Sequence, residues 1–154
     1  MAEAAGFFGT YEHALDSKGR VVLPAKFRPY FRETRIRLTP HFAGSVAIWT
    51  EEEFAKEFAA HDALSGQGHK AFLQMLAWSS KVEDQTVDAQ GRIVVPQKLR
   101  EHAKLELDQQ VLFVGAMRHV ELWSPQRFYD LIASLGDDQE GDEADRGAPA
   151  GVVG

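Results

Sequence analysis

The chain has 154 residues, 44% of them hydrophobic and 26% charged, which fits one domain or two very small ones sharing a core and excludes disorder along its whole length. No run approaches the roughly 18 apolar residues of a membrane-crossing helix, and the absence of cysteine excludes disulfide and thiolate chemistry and suits a cytosolic protein. The net charge of −6 hides two opposed segments: Gly136 to Gly154 holds six acids and one base, while Lys18 to Arg37 holds seven bases against the single acid Glu33. The first six residues carry no basic patch and no apolar stretch, so no secretory signal is expected.

In chain order, Thr10 to Leu15 is predicted as a strand, followed by the turn Asp16-Ser17-Lys18-Gly19, where aspartate caps backbone amides and glycine accepts positive φ. Arg20 to Leu23 is short, β-branched and apolar, so the chain returns as the second strand of a hairpin. Pro24 cannot extend a paired strand but suits the first position of a helix, which Pro29 should kink or end. Ile36 to Thr39 and Val46 to Trp49, joined through Pro40 and Gly44, read as a second hairpin. Thr50-Glu51-Glu52-Glu53 is a capping box opening a helix with Phe54 and Phe58 on one face. Ser65 to Gly68 breaks it, and His69 to Trp78 forms a second connector helix. The pattern then recurs, with a cleaner helix over Pro96 to Lys104, strands at Val111 to Val114 and Val120 to Trp123, and a last helix opened by Ser124-Pro125. From Gly136 onward the acidic sequence predicts disorder.

That recurrence is an internal duplication. Asp16 to Arg28 returns as Asp88 to Arg100 at an offset of 72, with seven of thirteen positions identical and three more apolar swaps. A second echo follows at offset 74, Val46-Ala47-Ile48-Trp49-Thr50 against Val120-Glu121-Leu122-Trp123-Ser124. Each unit is strand-strand-helix-strand-strand and too small to bury a sufficient core alone. The expected fold is therefore α+β, mainly β: a pseudo-twofold barrel of two ββαββ repeats with peripheral helices. The expected division is repeat 1 over 7–53, a helical connector over 54–81, repeat 2 over 82–125, a C-terminal helix over 126–135 and an acidic tail over 136–154.

The paired D-x-x-G-R-x-x-x-P-x-x-x-R motif resembles the SpoVT/AbrB family of DNA-binding domains. Two tandem copies, with Phe7-Phe8-Gly9-Thr10-Tyr11-Glu12-His13 ahead of the first, resemble the MraZ family of bacterial transcriptional regulators of the division and cell-wall gene cluster. The resemblance covers Phe7 to about Leu135. It implies swapped-hairpin-like repeats, homo-oligomeric rings, and binding to short direct repeats in promoter DNA, in a cytoplasmic, nucleoid-associated protein. The chain departs from the family in three places: the extension Met1 to Gly6, Gln90 where the first motif has Lys18, and the acidic tail.

Lys18 and Arg20 belong to a hairpin tip, where arginine's planar fork can grip a phosphate or read a guanine edge and lysine acts as a point charge. The pseudo-twofold gives Arg92 the matching position. A competing reading is that Arg20 and Arg92 pair with Asp16 and Asp88 and merely lock the turns. Lys26, Arg28, Lys98 and Arg100 fall on the short helices, where either arginine faces DNA or forms an ion pair inside the fold. The expected DNA-binding set is Lys18, Arg20, Arg28, Arg92, Lys98 and Arg100, with Arg32, Arg35 and Arg37 read as a solvated face. Trp49 and Trp123 end apolar strands, so core or oligomer packing is favoured over base stacking. The six histidines show no H-E-x-x-H and no ligand cluster, and no nucleotide-binding or nucleophile motif is present. No cofactor, small-molecule substrate or membrane partner is expected, and no enzymatic activity. The expected function is sequence-specific transcriptional regulation. The alternatives are an antitoxin-like DNA-binding module and a ring-forming scaffold for acidic proteins.

Overall fold

The computed structural model describes residues 6–137; residues 1–5 and 138–154, which include most of the expected acidic tail, lie outside the described residues. The first copy runs β1 (Thr10–Ala14), β2 (Arg20–Val22), α1 (Arg28–Phe31), β3 (Arg35–His41) and β4 (Ser45–Trp49). Two connector helices follow, α2 (Glu51–Ser65) and α3 (His69–Ser79). The second copy runs β5 (Glu83–Thr86), β6 (Arg92–Val94), α4 (Gln97–Ala103), β7 (Gln110–Gly115) and β8 (Val120–Trp123), before α5 (Pro125–Asp137).

Local chemistry accounts for these boundaries, with two departures from expectation. The Pro24 carbonyl accepts from the amides of Phe27 and Arg28, making a turn, and α1 starts only at Arg28. Pro29 therefore stands in the first turn of α1, where its missing N–H is not needed, and helps to start the helix that it was expected to end. The amide of Glu53 donates to Thr50 Oγ1 at 3.2 Å, but the Glu53 carboxylate accepts from Lys56 Nζ at 3.0 Å, so half of the capping box forms. In the second copy α4 is longer, as expected without an internal proline, and Lys104 closes it in the left-handed region at φ 55°.

The strands form a six-stranded antiparallel sheet in the order β1-β7-β8-β4-β3-β5 and a two-stranded sheet of β2 with β6. The expected barrel is not closed by strand pairing: among the described residues β1 and β5 are edges. The β1–β2 hairpin is also a corner rather than a ladder, because β1 pairs with β7 and β2 with β6. By the same exchange, β5 of the second copy pairs with β3 of the first. Val21 faces Ile93, its own counterpart at offset 72, and Ala47 faces Glu121, its counterpart at offset 74. An approximate twofold axis thus passes through both sheets.

The core lies between them. Phe7, Leu15, Phe27, Phe31, Ile36, Leu38, Leu99, Phe113 and Leu122 are all buried, and burying each such side chain stabilises the fold by about 1.5–3 kcal/mol. Phe7 stands edge-on to Phe27 and stacks on Phe31, both at 5.4 Å between ring centroids. Trp49 and Trp123 are buried, and Trp49 Nε1 donates to the buried Thr39 hydroxyl at 2.9 Å, an arrangement of packing rather than base stacking. Among the described residues no helix is long and apolar enough to cross a membrane.

The N-terminal segment docks on the β7–β8 loop through paired amide–carbonyl bonds between Phe7 and Met117, both at 2.9 Å. A Cβ at Gly115 would overlap the backbone of Phe7 and Phe8 there. Gly115→Ala should therefore cost about 1–3 kcal/mol, seen as a lower denaturant midpoint at unchanged slope; an unchanged midpoint would mean that the segment does not dock as described.

Candidate nucleic-acid interface

Each copy presents one turn locked by the same bonds. Asp16 Oδ1 accepts from the amides of Lys18 at 2.9 Å and Arg20 at 2.8 Å, and Oδ2 accepts from Arg20 Nε at 2.8 Å. Asp88 repeats the set with the amides of Gln90 and Arg92 and with Arg92 Nε, at 2.9, 2.8 and 2.8 Å. Glycine is required at the fourth position because Gly19 and Gly91 have φ of 79° and 77°. The backbone N–H of Arg20, followed by its side chain and the Lys18 amide, outweighs the opposing desolvation and holds the Asp16 carboxyl at about 2. Asp88 is lowered for the same reasons, the Arg92 amide first.

The turns rest on each other's copies. Val95 N donates to Gly19 O at 2.8 Å, and Leu23 N donates to Gly91 O at 2.9 Å. Beneath them Arg100 Nη1 donates to Val95 O at 2.6 Å and Arg28 Nε to Leu23 O at 2.8 Å. A Cβ on Gly19 would meet Arg100 Nη1 at 2.7 Å, and one on Gly91 would meet Arg28 Cδ at 3.0 Å. Each turn therefore lies flat on the arginine that ends the other copy's motif.

The six expected residues divide accordingly. Lys18 is exposed at its tip, and the side chains of Arg20 and Arg92 are 33% and 27% exposed. Both arginines pair with their aspartates, as the competing reading required. Each pairing uses Nε, however, and among the described residues the terminal Nη groups have no protein hydrogen-bond partner. Arg28 and Arg100 are half-buried supports under the opposite tips, joining Arg100 to Lys18 and Arg20, and Arg28 to Arg92. Lys98 is exposed on α4, with Nζ 3.6 Å from Glu83 Oε2, and belongs to neither tip. Arg35 and Arg37 are not simply solvated: both approach Asp84, at 3.3 and 3.5 Å, and Arg37 lies over the Phe54 ring. The cross-copy role of Arg28 and Arg100 was missed from sequence. Its signal was the recurrence of glycine and arginine at one spacing in both motifs.

The structure also assembles a group that sequence spacing concealed. His41, His119 and Glu121 bring one potential ligand atom each within 4.8 Å of the others. Burial works to raise the Glu121 carboxyl, but hydrogen bonds from His119 and Trp123 and the charges of the two histidines hold it below its ordinary value. Burial lowers His41, against the opposing charge of Glu121.

A family model described as "MraZ protein, putative antitoxin-like" matches the chain over residues 7–74 and 80–148. Among curated proteins, the "Transcriptional regulator MraZ" of Roseiflexus sp. (strain RS-1) is 35% identical over 134 residues, covering 84% of this chain and 88% of that protein. The protein of the same description from Caldanaerobacter subterraneus subsp. tengcongensis is 40% identical over 121 residues, 77% of this chain and 80% of its own. That from Lachnoclostridium phytofermentans is 33% identical over 135 residues, 85% and 93%.

Because the folded Asp16 carboxyl lies at about 2 against an ordinary 3.8, its lock contributes fully above about pH 4 and is lost as pH falls toward 2. A carboxyl NMR titration should give a midpoint near 2 for Asp16. Wild type and Asp16→Asn should differ in stability at neutral pH and converge in strong acid. A midpoint near 4 would show that the lock does not form in solution.

Proposed function

The chain belongs to the MraZ family, and from that membership and the paired tips we propose that it is a sequence-specific DNA-binding transcriptional regulator. One observation carries the reading: two turns with identical aspartate locks, related by the twofold axis, hold Lys18, Arg20 and Arg92 on a rigid support. A locked arginine that retains its Nη groups suits bidentate contact with a phosphate or a guanine edge. Lys18 supplies a point charge at one tip, and Arg28 and Arg100 set the height and angle of the tips from below. Lys98 adds an outer phosphate contact from α4. The relatives' shared description as transcriptional regulators agrees with this assignment.

We further propose that residues 7–53 and 82–125 act as one two-part reading head, and that several heads assemble as a homo-oligomeric ring on short promoter repeats. Exposed apolar side chains on α3 (Phe72, Leu73, Leu76) and α5 (Leu131, Ile132, Leu135) support association between copies. Linking heads this way raises avidity by about 10²–10⁴-fold without improving any single contact, so a chain of net charge −6 can still hold a promoter. The reading carries with it a cytoplasmic, nucleoid-associated protein. It favours DNA over an acidic protein partner because the tips have the geometry of anion forks and only a local excess of positive charge.

Footprinting on the DNA upstream of the protein's own gene tests the reading directly, protection of short repeats being expected. In gel-shift titrations Arg20→Ala should cost about 1–3 kcal/mol per engaged site if it reads a base, and Lys18→Ala should reduce the salt slope by about 1. Undiminished affinity of Arg20→Ala would remove Arg20 from the interface. A shallow salt dependence in the wild type would favour the protein-scaffold alternative.

A further inference from the structure

The His41, His119 and Glu121 group is built from both copies and from residues 78 and 80 positions apart. His41 ends β3, His119 immediately precedes β8, and Glu121 lies within β8 at the dyad pair with Ala47. The two imidazole rings stack with centroids 5.2 Å apart, and Trp49 stacks on His119 at 4.3 Å. Glu121 is held by other groups: its Oε1 accepts from Ser45 Oγ at 3.0 Å and Trp123 Nε1 at 2.9 Å. That leaves Oε2 directed at the histidines, 2.8 Å from His119 Nε2 and 3.8 Å from His41 Nδ1. His41 Nδ1 is buried without a hydrogen-bond partner among the described residues, on a side chain only 9% exposed. An unpaired buried imidazole nitrogen is costly, and a group that accepts its lone pair would remove that cost.

Two imidazole nitrogens and one carboxylate oxygen make a borderline donor set with a single negative charge. Such a set suits zinc and its late first-row neighbours, whereas magnesium and calcium prefer all-oxygen sites. Bonds of about 2.0–2.2 Å in tetrahedral geometry set donors about 3.3–3.6 Å apart. The observed 2.8 and 3.8 Å fall on either side of that range and all three atoms lie within 4.8 Å of one another, so a bound ion would draw the two imidazoles and the carboxylate together around it. Ser45 and Trp123 are the outer partners that such a carboxylate needs to keep its orientation. His41 also lines a neighbouring cleft with Pro40, Glu57, His61 and His102.

We propose that His41 Nδ1, His119 Nε2 and Glu121 Oε2 form a binding site for a divalent cation of the zinc class. The bound ion replaces the His119–Glu121 hydrogen bond and ties the end of β3 in the first copy to β8 in the second. The site shares no residue with the basic tips, so it stands or falls independently of the DNA-binding reading.

The test uses the full chain, made without a polyhistidine tag, stripped with a chelator and titrated with Co²⁺ and then Zn²⁺. The expected result is one equivalent per chain, a visible Co²⁺ absorption band that Zn²⁺ displaces, and quenching of tryptophan fluorescence through Trp49. His41→Gln and His119→Gln should each weaken binding by at least about tenfold, since loss of an outer partner alone costs about 10–100-fold. His69→Gln, at an exposed position on α3, should bind as wild type. Should either cluster variant fail to fold, Co²⁺-shifted imidazole resonances in the wild type give the assignment without any substitution, and they should come from His41 and His119. Absence of stoichiometric binding, undiminished binding in both folded cluster variants, or shifted signals from other histidines would overturn the proposal.

Discussion

Val21 and Ile93 face each other across the dyad in a ladder only three residue pairs long, and the seating of both turns depends on that pairing. A slip of one residue would turn both apolar side chains out of the core. The same register puts the Gly19 carbonyl under the Val95 amide and the Gly91 carbonyl under the Leu23 amide. Those two bonds seat each turn on the other copy, and the turns in turn set the positions of Lys18, Arg20 and Arg92. A small backbone interaction at the centre thus governs the placement of charges at the surface.

Electrostatics alone would not have selected these groups. The Arg20–Asp16 and Arg92–Asp88 pairs are partly exposed, and such solvent-screened pairs add little to stability. Their importance is geometric: the aspartate fixes one edge of a guanidinium and leaves the other edge unengaged. Arg28 and Arg100 achieve the complementary task, each capping a carbonyl of its own copy while filling the space under a glycine of the other. Removing the side chain from the turn's fourth position is what lets that stack form.

Much of this was legible in the residues. The 72-residue offset gave the duplication, aspartate and glycine gave the turns, and Thr50, Gly68 and Pro125 marked helix starts to within a residue. Strand partners were not legible, because alternation specifies which face is buried and not which strand lies alongside. Hence β1 was expected on β2 and is found on β7. The start of α1 was misplaced because Pro24 serves a turn through its carbonyl, which composition does not reveal. The supports Arg28 and Arg100 act across the dyad, and the His41, His119 and Glu121 group spans two copies; short-range spacing is blind to both.

The exchange of first strands has a consequence for how the protein is made. Thr10 pairs with Val114, so the first copy lacks a partner for β1 until more than a hundred further residues have left the ribosome. Such long sequence separations slow folding and prolong exposure of unpaired edges. The nascent N-terminal half therefore waits, its first strand unpaired, for its twin to complete the sheet.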